Sequence, residues 1–304
     1  MNGESAQAFW TELRSLTQAR IGLGRAGDAL PTRRVLEFAA AHAAARDAVH
    51  TPLDVPALCA RLTDLGLGEP VHVRSRARDR AEYLRRPDLG RLPADSDAAS
   101  AGPEPTAPPA PEPVPHVASG TTPPVASGIA PPVASGIAVP ELSRLGADIG
   151  VVLADGLSAR ALDAHGPPTL AALLDLLRPR YSIAPPVVAT QARVALGDHI
   201  GAALGVSTVL VLIGERPGLS VADSLGVYLT HLPRPGRTDA DRNCVSNIHP
   251  PEGLGYRRAA EVVAALVAGA RELGRSGVAL KDTSRDAVLP GQPPGTHLEP
   301  GTAE

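Results

Sequence analysis

Two unbroken apolar runs limit what this chain can fold into. "IGVVLAD" (149–155) and "STVLVLIG" (207–214) carry no polar alternation, so a strand made from either must be buried on both faces. Between and after them come helical patterns: one after "GLS" (156–158), another in "PPTLAALLDLLRPR" (167–180), then "GDHIGAALG" (197–205) and "GYRRAAEVVAALVAGARELG" (255–274). A short run, "PPVVAT" (185–190), supplies a further strand. Apolar strands alternating with amphipathic helices predict an α/β fold, with a mostly parallel sheet of Rossmann-like type and helices on both faces.

The segment before this region reads differently. "PTRRVLEFAAAHAAARDAVH" (31–50), "DVPALCARLTDLGLG" (54–68) and "RAEYLRRPDLG" (80–90) predict three helices, the first bearing Val35, Phe38, Ala39 and His42 at helical spacing. Residues 1–91 are therefore expected to form an N-terminal helical arm. Residues 92–139 are Pro/Ala/Ser-rich and contain "PPVASGIA" twice in tandem. Such a stretch buries too little surface to offset its ordering entropy and is read as a disordered linker. Residues 140–284 form the α/β domain, and 285–304 read as a disordered tail.

Composition excludes several classes. The net charge of −3 leaves no basic footprint for nucleic acid. No apolar run approaches the roughly 18 residues of a membrane span. The start "MNGESAQAFW" lacks the cationic and apolar parts of a signal peptide. Cys59 and Cys244 are far apart, form no metal or disulfide pattern, and point to a reducing cytoplasm. Cys59 reads as a small core residue of its helix.

Ligands of open α/β sheets bind beyond the carboxyl ends of the strands. Here those ends are Asp155-Gly-Leu-Ser and Glu215-Arg-Pro-Gly, the latter opening the polar stretch 214–256. "GLGRAG" (22–27) matches a dinucleotide fingerprint by letter, but no strand precedes it, and it reads as a helix-entry loop. Cys244, His249, His231 and Asp241 lack zinc spacing. A nucleophile from Cys244 with His249, or Ser158 with Asp155, has no GxSxG elbow behind it. Two readings stay open on the residues alone. In one, Glu215 as acceptor with Arg216, Arg242 and Asn243 as donors receives a large, amide-rich cofactor. In the other, these are surface turns whose Arg and Asp residues pair with each other.

"LIGERPGL", "SLGVYL", "DRNCVSNIHP", "SGVALKD" and "LADGLSARAL" resemble the small (light) subunit family of ethanolamine ammonia-lyase. "ARIGLGRAGDALPTRRVLEFAAAHAAARDAVH" and "YLRRPDLGR" extend the resemblance into the arm, so that it covers roughly residues 10–91 and 140–282 and leaves the linker as an insertion. The resemblance implies a lyase that converts ethanolamine to acetaldehyde and ammonia with adenosylcobalamin. It implies a large barrel subunit holding the substrate, a hexamer of large–small pairs, and a small subunit that closes over the cobalamin without a catalytic residue of its own. The family's cofactor contacts carry over to Val194 in "ARVALGDHIG", Glu215 and Cys244, with no protein-bound metal. The family also has members in bacterial microcompartments.

Those types suit corrin arms ending in primary amides. Glu215 can accept from an amide N–H, whereas Val194 and Cys244 would act mainly through their backbone. Asp198 and His199 are adjacent, which breaks the DxHxxG motif of proteins that replace the cofactor's own base, and so fits a base-on cofactor. The runner-up is a stand-alone cobalamin- or nucleotide-binding module, and a weaker third is a Cys244/His249 hydrolase. Because closing a longer flexible loop costs only about 0.6 kcal/mol per doubling, deletion of residues 98–135 is expected to leave assembly and ammonia release nearly intact. A reconstituted activity assay of the deletion chain checks this.

Overall fold

A computed structural model describes residues 3–17, 19–95, 139 and 142–284, with side chains from residue 8 onward. Most of the 92–139 segment and all of 285–304 lie outside the described residues. The arm region contains α1 (Gly3–Ser15), α2 (Thr32–His50), α3 (Val55–Thr63), strand β1 (Val71–Arg74) and α4 (Arg80–Arg85). Then come β2 (Ile149–Ala154), α5 (Ala159–Leu177), β3 (Val187–Thr190), α6 (Leu196–Leu204), β4 (Thr208–Gly214), β5 (Leu225–His231), β6 (Asn243–Ile248) and α7 (Tyr256–Leu273).

The six strands form one sheet in the order β1-β3-β2-β4-β5-β6. The first four run parallel, and β5 and β6 are antiparallel additions. Alternate residues of each buried strand feed opposite cores. Ile149, Val151, Leu153, Leu210 and Leu212 pack with α5, α7 and α3. Val152, Ala154, Val209, Val211 and Ile213 pack with Leu196, Ile200 and Leu204 of α6. The chain thus leaves β2 over one face and β3 over the other, an arrangement that leaves a crevice beyond the strand ends.

Two expectations need correction. The arm is not helical throughout: "VHVR" forms β1, which pairs with β3, so the segment before the linker supplies an edge of the main sheet. The polar stretch 214–256 holds two strands besides its turns, β5 and β6, and the second of them carries Cys244. The two helices expected after β2 are one. Ser158 caps α5, its Oγ accepting from the Ala161 N–H at 3.2 Å, and the helix runs through Pro167 and Pro168. Pro167 has no N–H for the carbonyl four residues back, that of Asp163. Arg61 of α3 donates to that carbonyl at 2.9 Å and also pairs with the Asp163 carboxylate, which replaces the missing bond.

The predicted helical spacing in α2 is present, but its apolar side chains are uncovered. Ala48 is the one buried residue of the helix, while Val35, Leu36 and Phe38 stay exposed. Trp10, the chain's one tryptophan, lies against Gly22, where an added Cβ would come within 2.5 Å of the indole. Cys59 packs against the core, as expected.

Gly156 allows the turn after β2. Its φ is +55°, and a Cβ there would sit 2.2 Å from the Gly214 carbonyl oxygen. That oxygen also accepts from the Leu157 N–H at 2.9 Å, so it has no room to retreat. Gly274, which ends α7 at φ +68°, meets nothing within 4 Å. Gly274→Ala is expected to cost about 1–2 kcal/mol from left-handed strain alone. Gly156→Ala is expected to cost clearly more, because a backbone clash adds to the same strain. Comparing the two variants in chemical denaturation checks the difference.

Candidate functional site

The crevice begins at Asp155. Its carboxylate is buried and accepts from the Gln191 N–H at 2.9 Å and the Ala192 N–H at 3.0 Å, which joins the end of β2 to the end of β3. Arg80 of α4 stands 3.7 Å from the same carboxylate. Burial pushes the Asp155 carboxyl above its ordinary range, and Arg80 and the backbone donors pull it back. Arg80 also donates to the Gly156 carbonyl at 2.8 Å and the Val49 carbonyl at 2.7 Å, which fixes α4 against the rim.

This arrangement seats Tyr83. The ring is fully buried, its hydroxyl donates to the Ala192 carbonyl at 3.1 Å, and the Arg80 and Arg193 guanidinium groups lie 4.8 and 4.4 Å from its centroid. Burial raises the Tyr83 phenol above its usual range, so it remains neutral. Tyr228 of β5 lines the same cleft as Tyr83, its phenol likewise raised by burial.

The cleft has a volume of about 420 Å³ and is bordered also by the turn after β2, Arg193 and Val194 after β3, and Glu215 and Arg216 after β4. Glu215 is held from one side: Oε2 accepts from Ser224 Oγ at 2.6 Å and the Asn247 N–H at 3.2 Å. Among the described residues, no hydrogen bond reaches Oε1. Val194 gives its carbonyl to the Gly197 N–H at 2.9 Å, while its own N–H has no partner among the described residues. Two residues that line the cleft thus keep an unused acceptor and an unused donor.

Of the three residues singled out from sequence, Val194 and Glu215 meet on this cleft. Cys244 stands one step behind: it is directly across from Tyr228 in the β5–β6 pair and interacts with that side chain. The thiol is exposed, yet the surrounding protein desolvates it and Glu215 adds repulsion, so its pKa is pushed up to about 11.

Other candidates have structural roles. Arg242, a ligand donor in one of the two readings left open and an Asp partner in the other, forms a buried ion pair with Asp198 of α6 and bonds Asp239 at 3.0 Å. Asn243 exchanges hydrogen bonds with the Gly277 backbone. Ser158 spends its hydroxyl on capping α5 and on the Ala222 carbonyl at 3.1 Å, and Asp155 is occupied by backbone amides, so the two are no nucleophile pair. His249 bonds Asn247 Oδ1 at 2.8 Å rather than Cys244. Among the described residues, no group of three or more His, Cys, Asp or Glu side chains is placed to hold a metal ion. The sequence reading missed Tyr83, Arg193 and Tyr228: each lies inside a stretch that carries the family resemblance, but nothing local singles out its side chain.

The sheet and its rim define an α/β protein with a cleft at the carboxyl ends of parallel strands, lined in part by Tyr83 of α4. Residues 7–108 and 133–281 match the family model described as ethanolamine ammonia-lyase light chain (EutC). The chain is 59% identical over 285 residues to the ethanolamine ammonia-lyase small subunit of Rhodococcus erythropolis, covering 93% of this chain and 94% of the relative. It is 46% identical over 278 residues to that of Bradyrhizobium diazoefficiens, covering 90% and 91%. It is 43% identical over 281 residues to that of Ralstonia nicotianae, covering 92% and 90%. The chain belongs to the ethanolamine ammonia-lyase light-chain family.

A thiol whose pKa is pushed up to about 11 carries about 100-fold less thiolate at neutral pH than one at the ordinary value of 9.0. Alkylation of Cys244 by iodoacetamide is therefore expected to be slow despite its exposure, and to rise about tenfold per pH unit up to about pH 11. Labelling rates by mass spectrometry across that range check this; a plateau near pH 9 contradicts it.

Proposed function

We propose that this chain is the small subunit of an adenosylcobalamin-dependent ethanolamine ammonia-lyase, helping to bind the cobalamin at the interface with a large catalytic subunit. The observation that supports this most is the pairing of Glu215 Oε1, an unused acceptor, with the Val194 N–H, an unused donor, on one cleft. A primary carboxamide presents both complements, an N–H2 and a carbonyl oxygen. About 420 Å³ lies within the range of sites for drug-sized ligands and admits an edge of a corrin with its arms rather than the whole. A half-site of this size suits a cofactor enclosed between two subunits. The residues therefore fit the group that the family implies.

When bound, adenosylcobalamin supplies radical chemistry through its cobalt–carbon bond. This chain holds and shields. Glu215 accepts from a carboxamide arm, the Val194 N–H donates to one, and Cys244 backs the Tyr228 wall. Tyr83 and Tyr228 exclude water from the edge they border. On this reading the ethanolamine site and the catalytic residues lie in the large subunit, as the family resemblance implies.

The exposed Val35, Leu36 and Phe38 of α2 support an arm that faces a partner, because apolar groups so clustered mark contact surfaces. On this reading the assembly is a hexamer of large–small pairs in the cytoplasm, with a bacterial microcompartment as a further setting. Among the described residues, no helix is long and apolar enough to cross a membrane. The sheet is read as Rossmann-like, supported by its parallel strands and crossovers on both faces. The division into arm (1–91), disordered linker (92–139), α/β domain (140–284) and tail (285–304) remains our proposal.

Glu215→Gln in the reconstituted enzyme puts a donor where an acceptor is needed. It is expected to raise the dissociation constant of adenosylcobalamin about 10- to 150-fold, the equivalent of losing about 1.5–3 kcal/mol. The KM for ethanolamine should hardly move, and Cys244→Ser should do far less. Cofactor titration and steady-state kinetics measure all three, and an unchanged cobalamin affinity for Glu215→Gln would remove Glu215 from the site.

A further inference from the structure

Arg193 is the residue of the cleft whose chemistry is least accounted for. Its guanidinium is set against the Tyr83 ring, 4.4 Å from the centroid, and its backbone N–H donates to the Gly90 carbonyl at 2.8 Å. Gly90 allows this approach, since a Cβ there would lie 2.8 Å from the tyrosine ring and 3.0 Å from Arg193 Cγ. The side chain is thus fixed on both flanks.

Its donors, however, are unspent. Arg193 Nε is buried without a partner. Among the described residues, no carboxylate pairs with Arg193 and its side chain makes no hydrogen bond. Leaving a buried donor unmade costs free energy that a methionine or leucine against Tyr83 would avoid. Packing therefore explains where the guanidinium lies, not why it is a guanidinium. Arg216, exposed at the same cleft, also has no carboxylate partner among the described residues. Glu215 does not neutralise either, since its bonds go to Ser224 and the Asn247 backbone. The rim carries more positive than negative charge and presents a pre-set planar fork, the geometry that best receives an oxyanion with two oxygens.

We propose that Arg193, with Arg216 beside it, binds the phosphodiester of the cobalamin's nucleotide tail. This rests on the cobalamin reading above. A base-on cofactor keeps that tail, and the phosphodiester is the anionic group among its neutral carboxamide arms. Glu215 and Val194 then serve the amides while Arg193 serves the tail.

The test compares two corrinoids on the assembled large–small complex. Hydroxocobalamin carries the nucleotide tail; cobinamide has the same corrin ring and amide arms but no phosphodiester. Dissociation constants are measured by equilibrium dialysis for the wild type, Arg193→Gln and Arg193→Lys. Arg193→Gln is expected to weaken hydroxocobalamin by about tenfold or more and cobinamide hardly at all, with Arg193→Lys in between. Equal weakening of both corrinoids, or of neither, overturns the proposal. So does loss of large-subunit association by Arg193→Gln in size-exclusion chromatography, which would assign the arginine to a partner carboxylate. A wild-type complex that binds neither corrinoid would instead overturn the underlying cobalamin reading.

Discussion

The Asp155 carboxylate holds the rim together. It accepts from the backbone of Gln191 and Ala192 and faces Arg80, so it links the ends of two adjacent strands to a helix from the other half of the chain. The groups that border the cleft inherit their positions from it. Ala192 carries the carbonyl that receives Tyr83, and Arg193 and Val194 follow directly. A buried carboxylate is expensive unless its lone pairs are filled, and here backbone donors fill them. The same bonds that make its burial tolerable also build the site.

Much of the framework was legible in the sequence because the central strands lie between two cores. "IGVVLAD" and "STVLVLIG" need no context to be read as buried strands. β1 was missed because "VHVR" is four residues with a histidine and an arginine, and it exists through its pairing with β3, more than a hundred residues away. β5 and β6 were missed because Pro and Gly turns flank them and β6 buries only Val245 and Ile248, three residues apart, so it lacks the period-two alternation of a half-buried strand. The proline pair suggested a helix start because local propensity is blind to an arginine from α3 taking over an orphaned carbonyl.

The site divides in the same way. Glu215 could be placed from sequence because it directly follows a recognisable strand, and Val194 and Cys244 came only through family resemblance. Arg242 and Asn243 looked available but are consumed by Asp198 and by the Gly277 backbone. Tyr83 and Arg193 could not be paired from sequence, since each means little until the fold stacks one on the other. Single residues with strong local context could be read; juxtapositions could not.

The seating of Trp10 against Gly22 has an optical consequence. The chain has one tryptophan, and it lies in the region before α2, whereas the four tyrosines, Tyr83, Tyr181, Tyr228 and Tyr256, are all associated with the sheet and its rim. Emission excited at the red edge of the indole band therefore reports the surroundings of α1 and its loop, and the tyrosine contribution reports the sheet. Two of those tyrosines wall the cleft. A single unlabelled chain thus carries a selective spectral reporter for the region of α1, while the tyrosine signal of the sheet is obtained as the difference between shorter-wavelength and red-edge excitation.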